Sequence, residues 1–198
     1  MPTLFAINGS YREAGSIDQA LAVVVEAAER VGATVEIVRL RDLSLGFCRN
    51  CRECTQVPGE APGRCVQDDA MRELVARIEA ADAYVLASPT NFYSVTALFK
   101  RFMERLLVYA YWPWGAHAPK LRRARPAKKA LLIASGAAPA LLGRLFFTTL
   151  KQLRLCARTL GAKPAGEVFI GLVAGAPHSQ LDERRRRQLQ RLTRKLLV

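Results

Sequence analysis

Near its start the chain reads Thr3-Leu4-Phe5-Ala6-Ile7-Asn8-Gly9-Ser10-Tyr11-Arg12-Glu13-Ala14-Gly15-Ser16-Ile17-Asp18, followed by the apolar run Ala20 to Val25. A short apolar run, a Gly/Ser/Arg loop and helix-spaced apolar residues spell strand, turn and helix, the opening half of a βα unit. Free N–H groups and the dipole at a helix start favour an anion. Ser10 and Ser16 add hydroxyls, Arg12 adds a charged fork, and Gly9 and Gly15 let a ligand approach the main chain. The loop has neither the G-x-G-x-x-G spacing nor a Gly-Lys-Ser/Thr ending, which points to a mononucleotide phosphate. The plainer alternative makes Ser16 a helix cap and Arg12 a surface charge.

Outward from this unit, apolar β-type runs alternate with helix-period runs to the end of the chain. Strands are predicted near Thr3–Ile7, Thr34–Arg39, Ala83–Ala87, Ala130–Ala134 and Gly166–Gly171. Helices are predicted near Ser16–Val31, Asp68–Ala80, Ser94–Tyr109, Gly143–Leu160 and Leu181–Leu197. Such alternation implies an α/β three-layer sandwich, a five-stranded parallel sheet with helices on both faces. No repeat or linker divides the 198 residues, so the expectation is one domain over 1–198. In open sheets of this kind a ligand sits beyond the strand carboxyl ends where strand order reverses. That makes the loops after strands one, three and four the candidates.

The 30 basic residues exceed the 17 acidic ones by 13. Six lie in Lys120 to Lys129 and seven in Arg184 to Lys195, so two stretches carry the whole excess. In the second, Leu181, Leu189, Leu192 and Leu196 recur at helical spacing, and the arginines read as a solvated face. Nucleic-acid contact is the lesser reading, because that stretch has no aromatic residue on which a base would stack. No apolar run approaches the roughly 20 residues of a membrane helix, and Met1 leads straight into a strand, so a cytoplasmic protein without a membrane partner is expected.

After strand three comes Ser88-Pro89-Thr90-Asn91-Phe92-Tyr93-Ser94, then Val95-Thr96-Ala97-Leu98-Phe99-Lys100-Arg101-Phe102. This turn and helix, with Gly9-Ser10-x-Arg12 and Gly15-Ser16, resemble the NADPH-dependent FMN reductase family of flavodoxin-like oxidoreductases, and the likeness covers essentially all 198 positions. The resemblance implies sheet order 2-1-3-4-5 and FMN phosphate on Ser10, Arg12, Ser16 and Ile17. It implies the flavin edge at Pro89, Thr90, Asn91, Phe92 and Tyr93, with Ser135 and Gly136 completing the ring's surroundings. Many relatives carry Asn or Thr where this chain has Ile17, and Asp18 follows it. The implied activity takes hydride from NAD(P)H and passes electrons to a small acceptor such as a quinone, an azo or nitro compound, a metal ion or a flavin. The implied state is a homo-oligomer, dimer or tetramer. The competing reading is a non-enzymatic FMN carrier or redox sensor. Arg122, Arg123, Arg125, Lys128 and Lys129 would suit a pyridine-nucleotide phosphate.

Cys48-x-x-Cys51-x-x-Cys54, with Cys65 beyond ten residues, has the spacing of iron–sulfur ligands, and a related branch bears a cluster in this loop. The last gap is long for a cluster, so free thiols are expected. Arg49, Arg52 and Arg64 would lower a neighbouring thiol's pKa. Cys156 reads as a core residue. Tyr109, Tyr111, Trp112 and Trp114 read as a cover for the flavin, a partner contact or core. No acid–base residue is expected in the candidate ring loops, and His117 and His178 are expected on loops.

Overall fold

The computed structural model describes residues 1–175 and 180–197; His178 lies outside them. Among the described residues eight strands and six α-helices are formed. They are β1 (Thr3–Asn8), α1 (Ser16–Glu29), β2 (Thr34–Arg39), α2 (Met71–Ala80), β3 (Ala83–Asn91), β4 (Ser94–Val95), α3 (Ala97–Arg105), β5 (Ala110–Tyr111), β6 (Lys120–Leu121), β7 (Lys128–Ser135), α4 (Ala140–Phe146), α5 (Thr149–Thr159), β8 (Ala162–Ile170) and α6 (Glu183–Leu197). The main sheet runs β2-β1-β3-β7-β8, all parallel. Numbering only its five long strands, that is the expected order 2-1-3-4-5.

Alternation along the strands sorts side chains into two cores. Phe5 and Ile7 of β1 face one layer with Ile78, Phe99, Phe102 and Leu153, which belong to α2, α3 and α5. Leu4 and Ala6 face the other with Leu21, Val24, Leu189 and Leu196 of α1 and α6. Both faces of the central strands are therefore dry, which is why they read as continuous apolar runs.

Three predicted elements differ. The expected helix Ser94–Tyr109 starts later, because Ser94–Val95 pair antiparallel with Thr90 and Asn91 as β4. Thr96 then caps α3 by accepting from Phe99 N–H at 3.2 Å. The expected helix Gly143–Leu160 is two helices, α4 and α5. The break at Phe147–Thr148 is fixed by Thr148, whose N–H and hydroxyl both donate to Tyr93 O at 2.8 Å. The last strand starts at Ala162, not Gly166, with a register shift opposite Ala130 and Leu131; Lys163 and Pro164 hide this polar beginning from a hydrophobicity reading.

Candidate functional site

The carboxyl ends of β1, β3, β7 and β8 surround a cavity of about 340 Å³, within the range of small-ligand sites. The β1–α1 loop contributes Ser10, Tyr11, Arg12, Gly15, Ser16 and Ile17, and the end of β3 contributes Pro89, Thr90 and Asn91. The β7–α4 loop contributes Ser135, Gly136 and Ala137, and the segment after β8 adds Val173 and Ala174. All the expected site residues except Phe92 and Tyr93 line it. Tyr11, Val173 and Ala174 were not foreseen; the general rule that ligands gather at strand carboxyl ends covers the loop after the last strand as well as the three singled out.

The β1–α1 loop is built as an acceptor site. Gly15 is the N-cap of α1 and offers no side chain to cap it, which leaves the first-turn N–H groups for an outside acceptor. Ser16 is thus the first helical residue, not the cap of the alternative reading. Ser10 holds the turn: its hydroxyl accepts from Arg12 N–H and donates to Arg12 O, each at 3.1 Å, and its own N–H donates to Asn8 Oδ1 at 2.8 Å. Asp18 follows the anion-ready start, but it accepts from Asn8 Nδ2 at 2.6 Å and lies 4.0 Å from Arg39, so its charge is partly offset. Gly9 has a different role from the one expected. A Cβ there would sit 2.7 Å from Phe99 Cδ2, so the missing side chain makes room for α3.

The Ser88–Ser94 segment is a hairpin and not an open turn. Phe92 and Tyr93 occupy its tip at φ 47° and 66°, the positive-φ geometry of a tight two-residue hairpin turn, held here by bulky residues that adopt it at a cost of roughly 1–2 kcal/mol each. Phe92 is 99% exposed and does not line the cavity, while Tyr93 packs edge-on against Phe147 with centroids 5.2 Å apart. Thr90 is fixed by Thr149, hydroxyl to hydroxyl at 2.8 Å. Thr96 Oγ1 donates to Gly9 O at 2.7 Å and so ties the hairpin to the β1–α1 loop. Among the described lining residues Arg12 is the sole charged group, and no His, Asp, Glu, Lys or Cys lines the cavity.

The aromatic segment and the first basic stretch lie elsewhere. Arg52 is stacked between Trp112 and Trp114, at 3.8 and 4.4 Å, and donates to the carbonyls of Trp112 and Pro113. Those tryptophans therefore brace the cysteine loop and do not cover the cavity, and Tyr109 is buried. Arg122 donates to the carbonyls of Cys54, Val57, Gly59 and Val108, Arg123 pairs with Glu79, and Lys128 donates to Ile78 O and Glu79 O. Lys128 and Lys129 begin β7 whereas the cavity is at its end, so these two stand a strand's length from it. His117 lies on the loop between β5 and β6, as expected, and is exposed.

The cysteine loop closes on itself. Gly63 N–H donates to Val108 O at 2.8 Å, and a Cβ on Gly63 would sit 1.7 Å from Cys54 O, so only glycine lets the chain return against Cys54 two residues before Cys65. Burial, together with the nearby Cys65, Cys48 and Cys51, pushes the Cys54 thiol up to about 11. For this thiol that is the reverse of the arginine activation expected: burial dominates, and Arg52 is turned toward the tryptophans. Among the described residues no group of three or more His, Cys, Asp or Glu is arranged to hold a metal ion. Cys156 is buried in the core, and burial raises its thiol pKa. No helix among the described residues is long and apolar enough to cross a membrane.

Comparison with known proteins agrees with this architecture. An iron-sulfur flavoprotein of Archaeoglobus fulgidus is 36% identical over 107 residues, 54% of this chain and 46% of that protein. One of Clostridioides difficile is 31% identical over 102 residues, 50% of this chain and 43% of that protein. The chain thus spans about half the length of the curated relatives it matches. Among solved structures, an NAD(P)H:quinone oxidoreductase from Methanothermobacter marburgensis superposes with TM-score 0.64 at 21% identity over 98% of this chain and 96% of that one. An archaeal flavodoxin gives TM-score 0.55 at 10% identity over 96% and 93%; likenesses at this identity speak for the flavodoxin-like fold alone. Residues 2–172 match the family model of NADPH-dependent FMN reductase, and the chain belongs to that family.

Proposed function

We propose that the cavity holds FMN, and that the chain takes hydride from NAD(P)H and delivers electrons to a small acceptor. The observation that carries this reading is one cavity with the uncapped start of α1 and Arg12 at one end and Thr90, Asn91 and Gly136 at the other. The first end suits a phosphate and the second a planar polar edge. FMN, when bound, supplies the two-electron chemistry; the chain's residues bind and orient it. With no His, Asp, Glu, Lys or Cys among the described lining residues, the protein's contribution is position and hydrogen bonding. The family membership supports an FMN-dependent oxidoreductase. The absorption spectrum of protein purified without air tests it: one flavin per chain is expected, and protein that neither carries nor takes up FMN contradicts it.

The cysteine loop gathers its thiols without building a metal site. The return at Gly63 brings Cys65 back beside Cys54 despite the ten intervening residues, so the four thiols of an iron–sulfur site are close. As arranged, they form no metal-holding group, and we expect free thiols. Iron and sulfide analysis of anaerobically purified protein should find less than one iron per chain; about four irons per chain, the content of a cubane cluster, would overturn this.

We also assign a homodimer, through a surface other than the aromatic segment. On α4 only Gly143 is buried, and Leu141, Leu142, Leu145 and Phe146 are exposed. Tyr93 and Phe92 adjoin the end of this helix through Phe147 and Thr148, and Leu172 adjoins its start, donating to Ala138 O. These seven side chains expose on the order of 1,000 Å² at the cavity rim, beyond the roughly 300–600 Å² patch of a typical monomer. Light scattering at micromolar concentration should give a dimer, and Leu141→Asp/Leu145→Asp a monomer. A monomeric wild type removes the assignment.

A further inference from the structure

The amino ends of β7 and β8 open onto two adjoining cavities of about 420 and 530 Å³ that share Lys163 and Pro164. Among the described residues their charged lining is wholly basic: Arg123, Arg154, Arg158 and Lys163 in one, and Lys129, Lys163 and Lys195 in the other. Glu79 neutralises Arg123 and Glu167 neutralises Arg154. Lys129, Arg158, Lys163 and Lys195 have no ion pair among the described residues.

Lys195 is also the end of a stripe. The exposed residues of α6 are Glu183, Arg184, Arg187, Arg191, Arg194 and Lys195, and at helical spacing the five basic ones share one side. Arg187 is paired with Glu183; Arg184, Arg191 and Arg194 have no ion pair among the described residues. The stripe runs roughly 16 Å along the helix at 1.5 Å per residue and continues into the trough. Residues far apart in sequence thus join in one basic track. The trough end of the track lies roughly 25 Å from the FMN cavity, the rise of the eight residues of β7, while the Arg184 end starts just after Asp182, which shares a cleft with Ser16 and Val173.

We propose that this track docks the phosphate backbone of a nucleic-acid duplex. Even with Glu79, Glu167 and Glu183 paired to three of them, crowding the remaining like charges is unfavourable, and a polyanion relieves it. Arginine forks suit phosphate oxygens. The apolar side of α6, with Leu189 and Leu196, is buried in the core, so the helix has no face to sink into a membrane. No aromatic side chain lines the two cavities or lies on the stripe, so the bases of a single strand have nothing to stack on. A duplex needs neither, since its two phosphate rails carry one charge per roughly 1.7 Å.

The test is fluorescence anisotropy of the flavin-loaded protein with a labelled 20-base-pair DNA duplex, a single strand of the same length, and phosphatidylserine vesicles. The duplex should bind most tightly, and its affinity should fall about 10²–10³-fold between 50 and 200 mM salt, as neutralising about five phosphates requires. Arg191→Glu/Arg194→Glu should weaken duplex binding at least about tenfold with flavin content and thermal midpoint unchanged. Arg72→Glu/Lys100→Glu, the same charge change on the opposite sheet face, should not. No duplex binding at 50 mM salt, equal losses in the two variants, or tighter binding to single strand or vesicles would each overturn the proposal.

Discussion

Replacing Arg105 with methionine should cost about 3–5 kcal/mol of stability, the range for breaking a buried charge pair from one side. The Arg105 side chain is 1% exposed. One guanidinium nitrogen donates to Gly46 O at 2.8 Å and to Asp69 at 2.6 Å; the other donates to Asp69 at 3.0 Å and reaches Cys65 Sγ at 3.5 Å. A single residue at the end of α3 thus holds both ends of the cysteine loop. Methionine keeps the length but leaves Asp69 as an uncompensated, largely buried charge. The acid dependence carries the same information. Burial pushes the Asp69 carboxyl up, but hydrogen bonds from Arg105, Gly46 and Met71, with Arg105's charge, outweigh it and hold the pKa at about 2. Against roughly 3.9 in the unfolded chain, this depressed value contributes about 2 kcal/mol, fully present above pH 4 and lost as pH falls through 2. Urea unfolding at pH 7 and between pH 4 and 2 checks both: the variant should be much less stable at pH 7 and lack this acid loss. A change below about 1 kcal/mol at pH 7, the worth of an exposed pair, would show that the pair does not hold the loop.

Ser16→Pro should weaken FMN by about 1.5–3 kcal/mol while α1 stays folded. Ser16 is the first helical residue, a position where proline's missing N–H and fixed φ are tolerated. Gly15 before it is already extended, φ −76° and ψ 179°, as a residue preceding proline must be. The substitution deletes one backbone donor and one hydroxyl from the proposed phosphate subsite and leaves the fold alone. Titration of apoprotein with FMN should show about a 10–150-fold weaker Kd with an unchanged thermal midpoint of the apoprotein. Unchanged affinity would move the phosphate away from α1.

The parts of this fold carried by local pattern were legible in the sequence. The five long strands and the β1–α1 loop are short-range features: apolar runs dry on both faces, and a Gly/Ser/Arg loop opening a helix. Long-range contacts decided what was not. Nothing near Phe147 announces a helix break, because Tyr93 O, more than fifty residues away, takes both of Thr148's donors. Phe92 and Tyr93 read as turn residues beside a ligand, but β4 pairing sends them past the cavity rim. The arginines of Lys120–Lys129 looked free until tertiary carbonyls consumed Arg122. The ten residues between Cys54 and Cys65 looked too many until Gly63 folded them back.

The central claim, that bound FMN accepts hydride from a pyridine nucleotide, is tested most directly by anaerobic stopped-flow mixing of the flavin-loaded protein with NADPH and, separately, NADH. At least one nucleotide should bleach the bound flavin's absorbance with saturating kinetics, far faster than it reduces free FMN at the same concentration. Bound FMN reduced no faster than free FMN by either nucleotide would contradict the reductase reading and leave the protein an electron carrier.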